Sequence, residues 1–160
     1  MPAALLFDLD GTLHDRNATL RRWLPGHLTR FGLPDAYAGR FLALDDFGYR
    51  PKREVMPLLV QEFGLHHDPQ LLLEDYVTYL RHAQAMPHAA AVLTELRRRG
   101  VRVGIVTNGW SEVQTECLRA CGLSALVDDL VISRAVGLSK PDPRIYALAL
   151  ARLDVPATDA

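Results

Sequence analysis

The order of the predicted strands and helices constrains this chain more than any single residue does. The apolar run Ala3–Phe7 predicts a strand that is buried on both faces. Residues 15–85 show helical periodicity and contain no convincing strand. Beyond residue 86, predicted helices alternate with the apolar strands Val101–Thr107 and Leu130–Ser133. This order predicts an α/β fold in which a Rossmann-like parallel sheet carries an inserted helical block.

Proline and capping residues predict where several helices begin or break. Pro25 lies inside the first helical periodicity and is expected to kink or split that helix. Asp68 followed by Pro69 is typical of an N-cap and the first helical residue. Ser111 and Gln114 have the spacing of a capping box, so we expect them to satisfy amides at the start of one helix.

Composition argues against several classes of protein. The 160 residues include 18 basic and 19 acidic ones, which give a formal net charge of −1. That balance argues against a strongly basic protein that binds nucleic acid polymers. No apolar stretch approaches the ~18 residues of a membrane span, and the apolar run at the start is too short for a signal peptide. We therefore expect a cytoplasmic protein that does not contact a membrane.

Two cysteines, Cys117 and Cys121, stand four residues apart and share one face of a predicted helix. We expect both to be buried thiols. No second cysteine pair and no histidine near them in the sequence supports a zinc site. A disulfide framework is equally unsupported, which fits the reducing cytosol.

Polar side chains follow the three predicted strands. Asp8 and Asp10 come after the first strand, Thr107 and Asn108 end the second, and Lys140 lies a short loop beyond the third. The carboxyl ends of parallel strands meet at one edge of a sheet, so we expect these groups to converge. Two carboxylates there can divide the roles of nucleophile and general acid/base. Their mutual repulsion implies a hard divalent cation such as Mg²⁺ between them.

The groups at the second and third strand ends are suited to an anion. The Thr107 hydroxyl and the backbone amides at Asn108 and Gly109 can hold anionic oxygens. Lys140 adds a positive charge. An anionic electrophile bound beside Mg²⁺ indicates phosphoryl transfer.

Three ordered motifs resemble those of the haloacid dehalogenase-like (HAD) hydrolase superfamily. The segments are Asp8–Leu13 (DLDGTL), Val106–Gly109 (VTNG) and Ser139–Tyr146 (SKPDPRIY). The helical block lies between the first two motifs, as in members with a C1-type cap. The resemblance therefore implies a HAD core formed by residues 1–14 and 86–160 and a helical cap formed by residues 15–85.

The resemblance also implies a role for each matching residue. Asp8 would attack phosphorus and form an aspartyl-phosphate, and Asp10 would protonate the leaving alcohol and then activate water. Mg²⁺ would be held by the Asp8 side chain and the Asp10 backbone carbonyl. Lys140 would steady Asp8 and the developing charge. The residues implied to bind the phosphoryl oxygens are Thr107, Asn108 and Gly109.

Asp10 distinguishes two reactions within the family. The dehalogenase branch usually has no aspartate at this position, because halide leaves without a proton, whereas an alkoxide leaving group needs an acid. The resemblance therefore implies a phosphatase acting on a small phosphorylated metabolite. Phosphomutases of the same family share this aspartate and stay open as an alternative.

The family's fourth motif, an acidic segment after a further strand that completes the Mg²⁺ site, has no counterpart in these residues. The core is therefore expected to be incomplete at its C-terminal end. Two alternatives follow: a catalytically impaired protein that binds phosphate or self-associates, or a native protein that continues beyond Ala160. Without the further strand, the strand that carries Asp8 would be an open sheet edge through which a homodimer could form.

Several residues outside the motifs are weaker candidates for contact with substrate. A predicted loop of the helical block holds a basic and aromatic cluster, Tyr49, Arg50, Lys52 and Arg53. Arg50 and Lys52 would either contact a polar portion of the substrate or belong to a solvated loop. His14 is a candidate for lining the site entrance. Trp110, which follows the second motif, would either pack or touch substrate.

Overall fold

The computed structural model describes residues 2–160, which divide into two compact units. One unit contains the residues up to Asp15 together with Gln84–Ala160. The other unit contains Arg16–Ala83. The first is built around a sheet and the second is helical. No helix among the described residues combines the length and the apolar character that crossing a bilayer requires.

The first unit is organised by three parallel strands. They are β1 (Ala4–Phe7), β2 (Arg102–Thr107) and β3 (Asp129–Ile132), and they lie in the order β1-β2-β3. The predicted α/β fold with a parallel sheet is thus confirmed. Strand β2 is apolar from Val103 to Val106, and it is buried from Val103 onward because it lies between its neighbours.

Helices cover this sheet. They are α5 (Ala89–Arg98), α6 (Ser111–Ala120), the short α7 (Ser133–Val136) and α8 (Pro143–Arg152). Helix α8 packs Ile145 and Ala149 against Val106 and Val131 of the sheet. Gly104 permits a close approach at the end of this helix, since a Cβ there would lie 2.7 Å from Leu6 Cδ2 and 2.9 Å from Leu153 Cδ1.

Strands β1 and β3 are the outer strands of the sheet within residues 2–160. Next to β1, the backbone amide of Ala3 donates to the carbonyl oxygen of Asp159 at 2.6 Å. Asp159 belongs to a 3₁₀ turn, Ala157–Asp159. Homodimer formation through the edge of β1 stays a prediction.

The second unit consists of helices. They are α1 (Arg16–Phe31), α2 (Ala36–Asp45), α3 (Lys52–Glu62) and α4 (Pro69–Tyr76), with a 3₁₀ segment, Val77–His82, after α4. Asp68 caps α4 as predicted, because its carboxylate accepts from the amide of Gln70 at 2.8 Å.

Pro25 does not break α1, so the predicted split of this helix is wrong. Proline removes one backbone donor and leaves the carbonyl four residues earlier, that of Arg21, without its helical partner. Both Pro25 and Arg21 are exposed, so water can satisfy that carbonyl. The opposite face of α1 buries Trp23 and His27. The Trp23 ring packs on Phe41 of α2 with centroids 5.6 Å apart, and Nδ1 of His27 lies 2.7 Å from Oδ2 of Asp75 in α4, so these contacts hold the helix in place.

Candidate active site

The two motif carboxylates follow β1 on a tight turn. Leu9, which is fully buried, stands between Asp8 and Asp10 and anchors the turn in the core. Gly11 supplies a φ of +82°, and its amide donates to the carbonyl oxygen of His14 at 2.9 Å. The Asp8 side chain stays 40% exposed and that of Asp10 31% exposed. The chain thus presents both carboxylates at the carboxyl end of β1.

Lys140 lies against Asp8, although 131 residues separate them in the sequence. Its Nζ is 2.5 Å from Oδ1 of Asp8. Asn108 holds the backbone of Lys140 in place from the end of β2. The Asn108 side chain accepts from the Lys140 amide at 2.9 Å and donates to the Lys140 carbonyl at 3.2 Å. The ends of β1 and β2 and the loop before α8 are therefore joined at one point.

Gln114, which the sequence analysis placed in a capping box, instead lies at the centre of this site. Its Nε2 is 2.6 Å from Oγ1 of Thr107 and 3.1 Å from Oδ2 of Asp10. The N-cap residue of α6 is Trp110, and its side chain makes no capping hydrogen bond within residues 2–160. Gln114 and Thr107 are both almost fully buried. A polar residue on the same helical face as Cys117 and Leu118 was the sequence signal for this inward position.

Polar groups of the second motif are partly engaged within the protein. The Asn108 side chain is engaged with the Lys140 backbone, which leaves its main-chain amide as the group for an anion. The Gly109 amide already donates to Oγ of Ser133 at 3.0 Å. Gly109 has a φ of +151°, and a Cβ there would lie 3.0 Å from Cγ of Gln114, so glycine suits this turn. Ser133, predicted as the end of a strand, begins α7 instead.

His14 does not line an entrance, because its side chain is completely buried. Its Nδ1 lies 2.7 Å from Oδ1 of Asp10. The two oxygens of the Asp10 carboxylate are therefore contacted by different groups, His14 on Oδ1 and Gln114 on Oδ2. This arrangement fixes the orientation of the carboxylate.

A histidine does lie near the cysteine pair in the folded chain, although none is close to it in the sequence, so the expectation that no histidine could join these cysteines is wrong. One ring nitrogen of His14 and the sulfurs of Cys117 and Cys121 lie within 4.8 Å of one another. Cys117 is buried as predicted, while Cys121, at the end of α6, is half-buried. A hydrogen bond from Cys117 lowers the pKa of the Cys121 thiol, against the opposing effects of burial and the charge of Asp10.

Trp110 is not a packing residue. It is 62% exposed at the start of α6, and the guanidinium of Arg134 lies 4.7 Å from its ring centroid. Its contact with substrate stays a prediction.

Lys52, a predicted substrate contact, is instead an interior cation of the helical unit. Its side chain is 9% exposed and its Nζ lies 2.7 Å from Oδ1 of Asp45. Arg16, which the sequence analysis did not single out, pairs with the same carboxylate at 2.7 Å. Burial lowers the pKa of Lys52. Arg50 is half-buried in the same unit, and its backbone carbonyl accepts from Nζ of Lys52 at 2.6 Å. Contact of the Arg50 side chain with substrate stays a prediction.

The donor set at the end of β1 fits a hard divalent cation. Lys140 occupies one oxygen of the Asp8 carboxylate, and the other has no hydrogen-bond partner among residues 2–160. Carboxylate and backbone carbonyl oxygens are the protein ligands that Mg²⁺ prefers, and the ion retains several waters. The exposed side of Asp8 leaves room for those waters.

Comparisons with known proteins agree with the fold. The chain is 28% identical over 173 residues to a glyceraldehyde 3-phosphate phosphatase from Methanopyrus kandleri, covering 100% of this chain and 74% of that protein. It is 31% identical over 176 residues to a phosphatase from Mycobacterium tuberculosis, covering 98% of this chain and 75% of the relative.

Among solved structures, the chain is similar to the magnesium-bound HAD-hydrolase YfnB from Bacillus subtilis. The TM-score is 0.77 at 25% identity, with 98% of this chain and 73% of the other covered. The model of the haloacid dehalogenase-like hydrolases matches residues 2–160. Since that match spans nearly the whole chain, this protein belongs to the haloacid dehalogenase-like hydrolase family.

Proposed function

We propose that this hydrolase is a Mg²⁺-dependent phosphatase of small phosphorylated metabolites that works through a phosphoryl group carried on Asp8. The observation that carries the proposal is the pairing of Lys140 with Asp8 at 2.5 Å, with a second carboxylate two residues further on. The relatives from M. kandleri and M. tuberculosis are both named as phosphatases, which supports the same reaction class.

In the first step, a carboxylate oxygen of Asp8 attacks the phosphorus of the bound ester. The bond from phosphorus to the ester oxygen breaks, and Asp10 gives its proton to the departing alcohol. In the second step, water attacks the same phosphorus and Asp10 takes up its proton. The bond between phosphorus and Asp8 then breaks, which releases phosphate and restores both carboxyl groups.

Groups at the end of β2 bind the phosphoryl oxygens in this proposal. The Thr107 hydroxyl accepts from Gln114 and is thereby oriented to donate its own proton to an anion. The Asn108 backbone amide adds a second donor. Lys140 offsets the negative charge that develops beside Asp8. The Gly109 amide, held by Ser133, shapes the turn rather than binding phosphate.

Mg²⁺ would be held by the Asp8 carboxylate and the backbone carbonyl of Asp10. When bound, it would supply positive charge that neutralises the phosphoryl oxygens and aligns them with Asp8. The similarity to a magnesium-bound HAD-hydrolase supports this choice of cation.

Asp10 favours phosphate esters over haloacids as substrates. Halide leaves without a proton, whereas an alkoxide needs one, and Asp10 stands two residues from the nucleophile in position to supply it. The helical unit Arg16–Ala83 is inserted in the sequence between the Asp8–Leu13 and Val106–Gly109 motifs, which supports its proposed role as a C1-type cap.

A steady-state assay tests the proposal. Purified chain is given a panel of phosphate monoesters, glyceraldehyde 3-phosphate included, with Mg²⁺ or with a chelator, and phosphate release is measured. We expect turnover with Mg²⁺ and its loss in Asp8→Asn. Asp154→Asn is the matched control, because Asp154 is exposed and its φ of +56° suits asparagine. Full activity in Asp8→Asn, or halide release from 2-haloacids without phosphatase activity, would contradict it.

A further inference from the structure

A nitrogen and two sulfur donors converge behind the candidate active site. His14 comes from the turn after β1, Cys117 from the last turns of α6, and Cys121 from the residue that ends this helix. One ring nitrogen and the two Sγ atoms lie within 4.8 Å of one another. All three belong to the same compact unit, and the contact brings together residues that are more than a hundred positions apart in the sequence.

The spacing of these atoms suits a small tetrahedral ion. With Zn–S bonds of about 2.3 Å, a tetrahedral zinc ion separates its sulfur ligands by about 3.8 Å. Donor atoms already within 4.8 Å therefore need only small side-chain rotations to meet around one ion. The four-residue step from Cys117 to Cys121 spans one helical turn and points both sulfurs to the same side.

Asp10 orients the His14 ring so that it can coordinate a metal ion. Its Oδ1 lies 2.7 Å from Nδ1 of His14, so in the tautomer that donates from Nδ1 the lone pair is on Nε2. A carboxylate behind a histidine is the usual arrangement for a zinc-ligating imidazole, because it fixes the ring and raises its basicity.

The set differs in chemistry from the oxygen donors of Asp8. Thiolates and imidazole select zinc and related thiophilic metals, whereas Mg²⁺ takes carboxylate, carbonyl and water oxygens. We propose that the ring nitrogen of His14 that lies near the two sulfurs forms, together with Sγ of Cys117 and Sγ of Cys121, a binding site for Zn²⁺ or a related thiophilic divalent metal, with Asp10 orienting His14. Three protein ligands leave the fourth position to solvent. The ion would enter past Cys121, because Cys121 is half-buried whereas His14 and Cys117 are buried.

Cadmium binding to the full chain tests this site without reference to enzymatic activity. The chain is reduced, treated with a chelator and titrated with Cd²⁺ while the ultraviolet charge-transfer band of cadmium–thiolate bonds is followed. We expect the band to saturate at one equivalent, to be reversed by Zn²⁺, and to resist a large excess of Mg²⁺. No band at one equivalent, or displacement by Mg²⁺, would overturn the proposal.

Substitutions locate the site. Cys121→Ala removes a half-buried sulfur at a helix end, and we expect at least a 10-fold weaker affinity, since losing even a group that orients a ligand costs 10–100-fold. Cys117→Ala should have the same effect, with circular dichroism checking that the fold persists. His82→Ala, which changes an exposed histidine, should bind like the parent chain. Unchanged binding in folded Cys121→Ala, or equal weakening in His82→Ala, would contradict the site.

Discussion

Nδ1 of His14 lies 2.7 Å from Oδ1 of Asp10, inside the protein, while Gln114 contacts the other oxygen of the same carboxylate. This contact can serve both protonation states that the proposed reaction requires. In the metal-free chain, a neutral imidazole with its proton on Nδ1 donates to the carboxylate, and the other tautomer accepts from the carboxylic acid. His14 is therefore a positioning residue that holds Asp10 whether it is about to give or to take a proton.

Replacing His14 should damage the proton-transfer role of Asp10. In His14→Leu we expect kcat to fall by about 10-fold or more, a share of the 10²–10⁴-fold that general acid–base catalysis contributes. KM should change little, and the pH–rate profile should shift because the environment of Asp10 changes. His14→Asn keeps a side-chain donor near Nδ1 and should recover part of kcat.

The comparison of two substrates isolates that role. An aryl phosphate with an acidic leaving group needs little help from an acid, whereas an alkyl phosphate needs full protonation. His14→Leu should therefore lose more activity on the alkyl ester. Equal losses on both esters would mean that His14 only supports the fold.

Gln114 should support both the proton-transfer residue Asp10 and the phosphate-binding residue Thr107, because its amide contacts both. Gln114→Met keeps the length of the side chain but removes the donor shared by Thr107 and Asp10. If the lost hydrogen bonds raise the activation free energy by about 1–2 kcal/mol, kcat/KM should fall by about 10-fold. Inhibition by inorganic phosphate should also weaken, since the Thr107 hydroxyl loses its orientation. Glu112→Gln, an exposed change on the same helix, should leave both quantities unaltered.

Asp45 should be essential to the stability of the helical unit. Its buried carboxylate is paired with Arg16 and Lys52, so Asp45→Asn leaves two interior cations without their counter-charge. Breaking a buried pair in this way costs about 3–5 kcal/mol. Urea unfolding can be followed by the fluorescence of Trp23, in a Trp110→Phe background.

Two further variants test whether the loss of stability in Asp45→Asn comes from the buried ion pairs. Lys52→Met removes one cation and keeps the pair between Asp45 and Arg16, so its cost should be smaller than that of Asp45→Asn. Asp46→Asn changes the exposed neighbour and should leave the midpoint unaltered. A cost for Asp46→Asn equal to that of Asp45→Asn would argue against the interior pairing.

His27 should make stability depend on pH. Burial among aromatic rings lowers its pKa below the usual 6.5, against the opposing attraction of Asp75, to which its Nδ1 is 2.7 Å away. The unfolded chain therefore binds more protons just below pH 6.5, so stability is complete above this value. As the pH is lowered from 6.5, the free energy of unfolding should decrease, and the decrease should stop below the pKa of His27 in the folded state. His27→Gln should flatten this part of the profile, whereas His66→Gln, at an exposed position, should preserve it.

The residues that meet at the carboxyl edge of the sheet could be predicted, because the ends of buried strands can be recognised in the sequence. Asp8, Thr107 and Lys140 each follow an apolar run or a short loop, and parallel strands place such residues on one edge. The pairing of Lys140 with Asp8 then follows from topology. The same logic predicted that the sheet is parallel.

What could not be predicted depends on contacts between distant residues. His14 meets Cys117 only because the turn after β1 packs on α6, and no local periodicity encodes that contact. Gln114 fits a capping box by spacing, yet Thr107 and Asp10 offer its amide buried acceptors that the helix start does not. Lys52 was expected either to contact substrate or to lie in a solvated loop, whereas its pairing with Asp45 places it inside the helical unit.

The measurement that tests the central claim most directly is the capture of the phosphoryl group on Asp8. An aryl phosphate can phosphorylate Asp8 in Asp10→Asn, but the water-activating carboxylate is then missing, so the acyl phosphate should accumulate. Rapid quenching and intact-mass spectrometry of Asp10→Asn should show one added phosphoryl group, located by peptide mapping at Asp8. No adduct in Asp10→Asn, or an adduct that persists when Asp8→Asn is combined with it, would contradict the account.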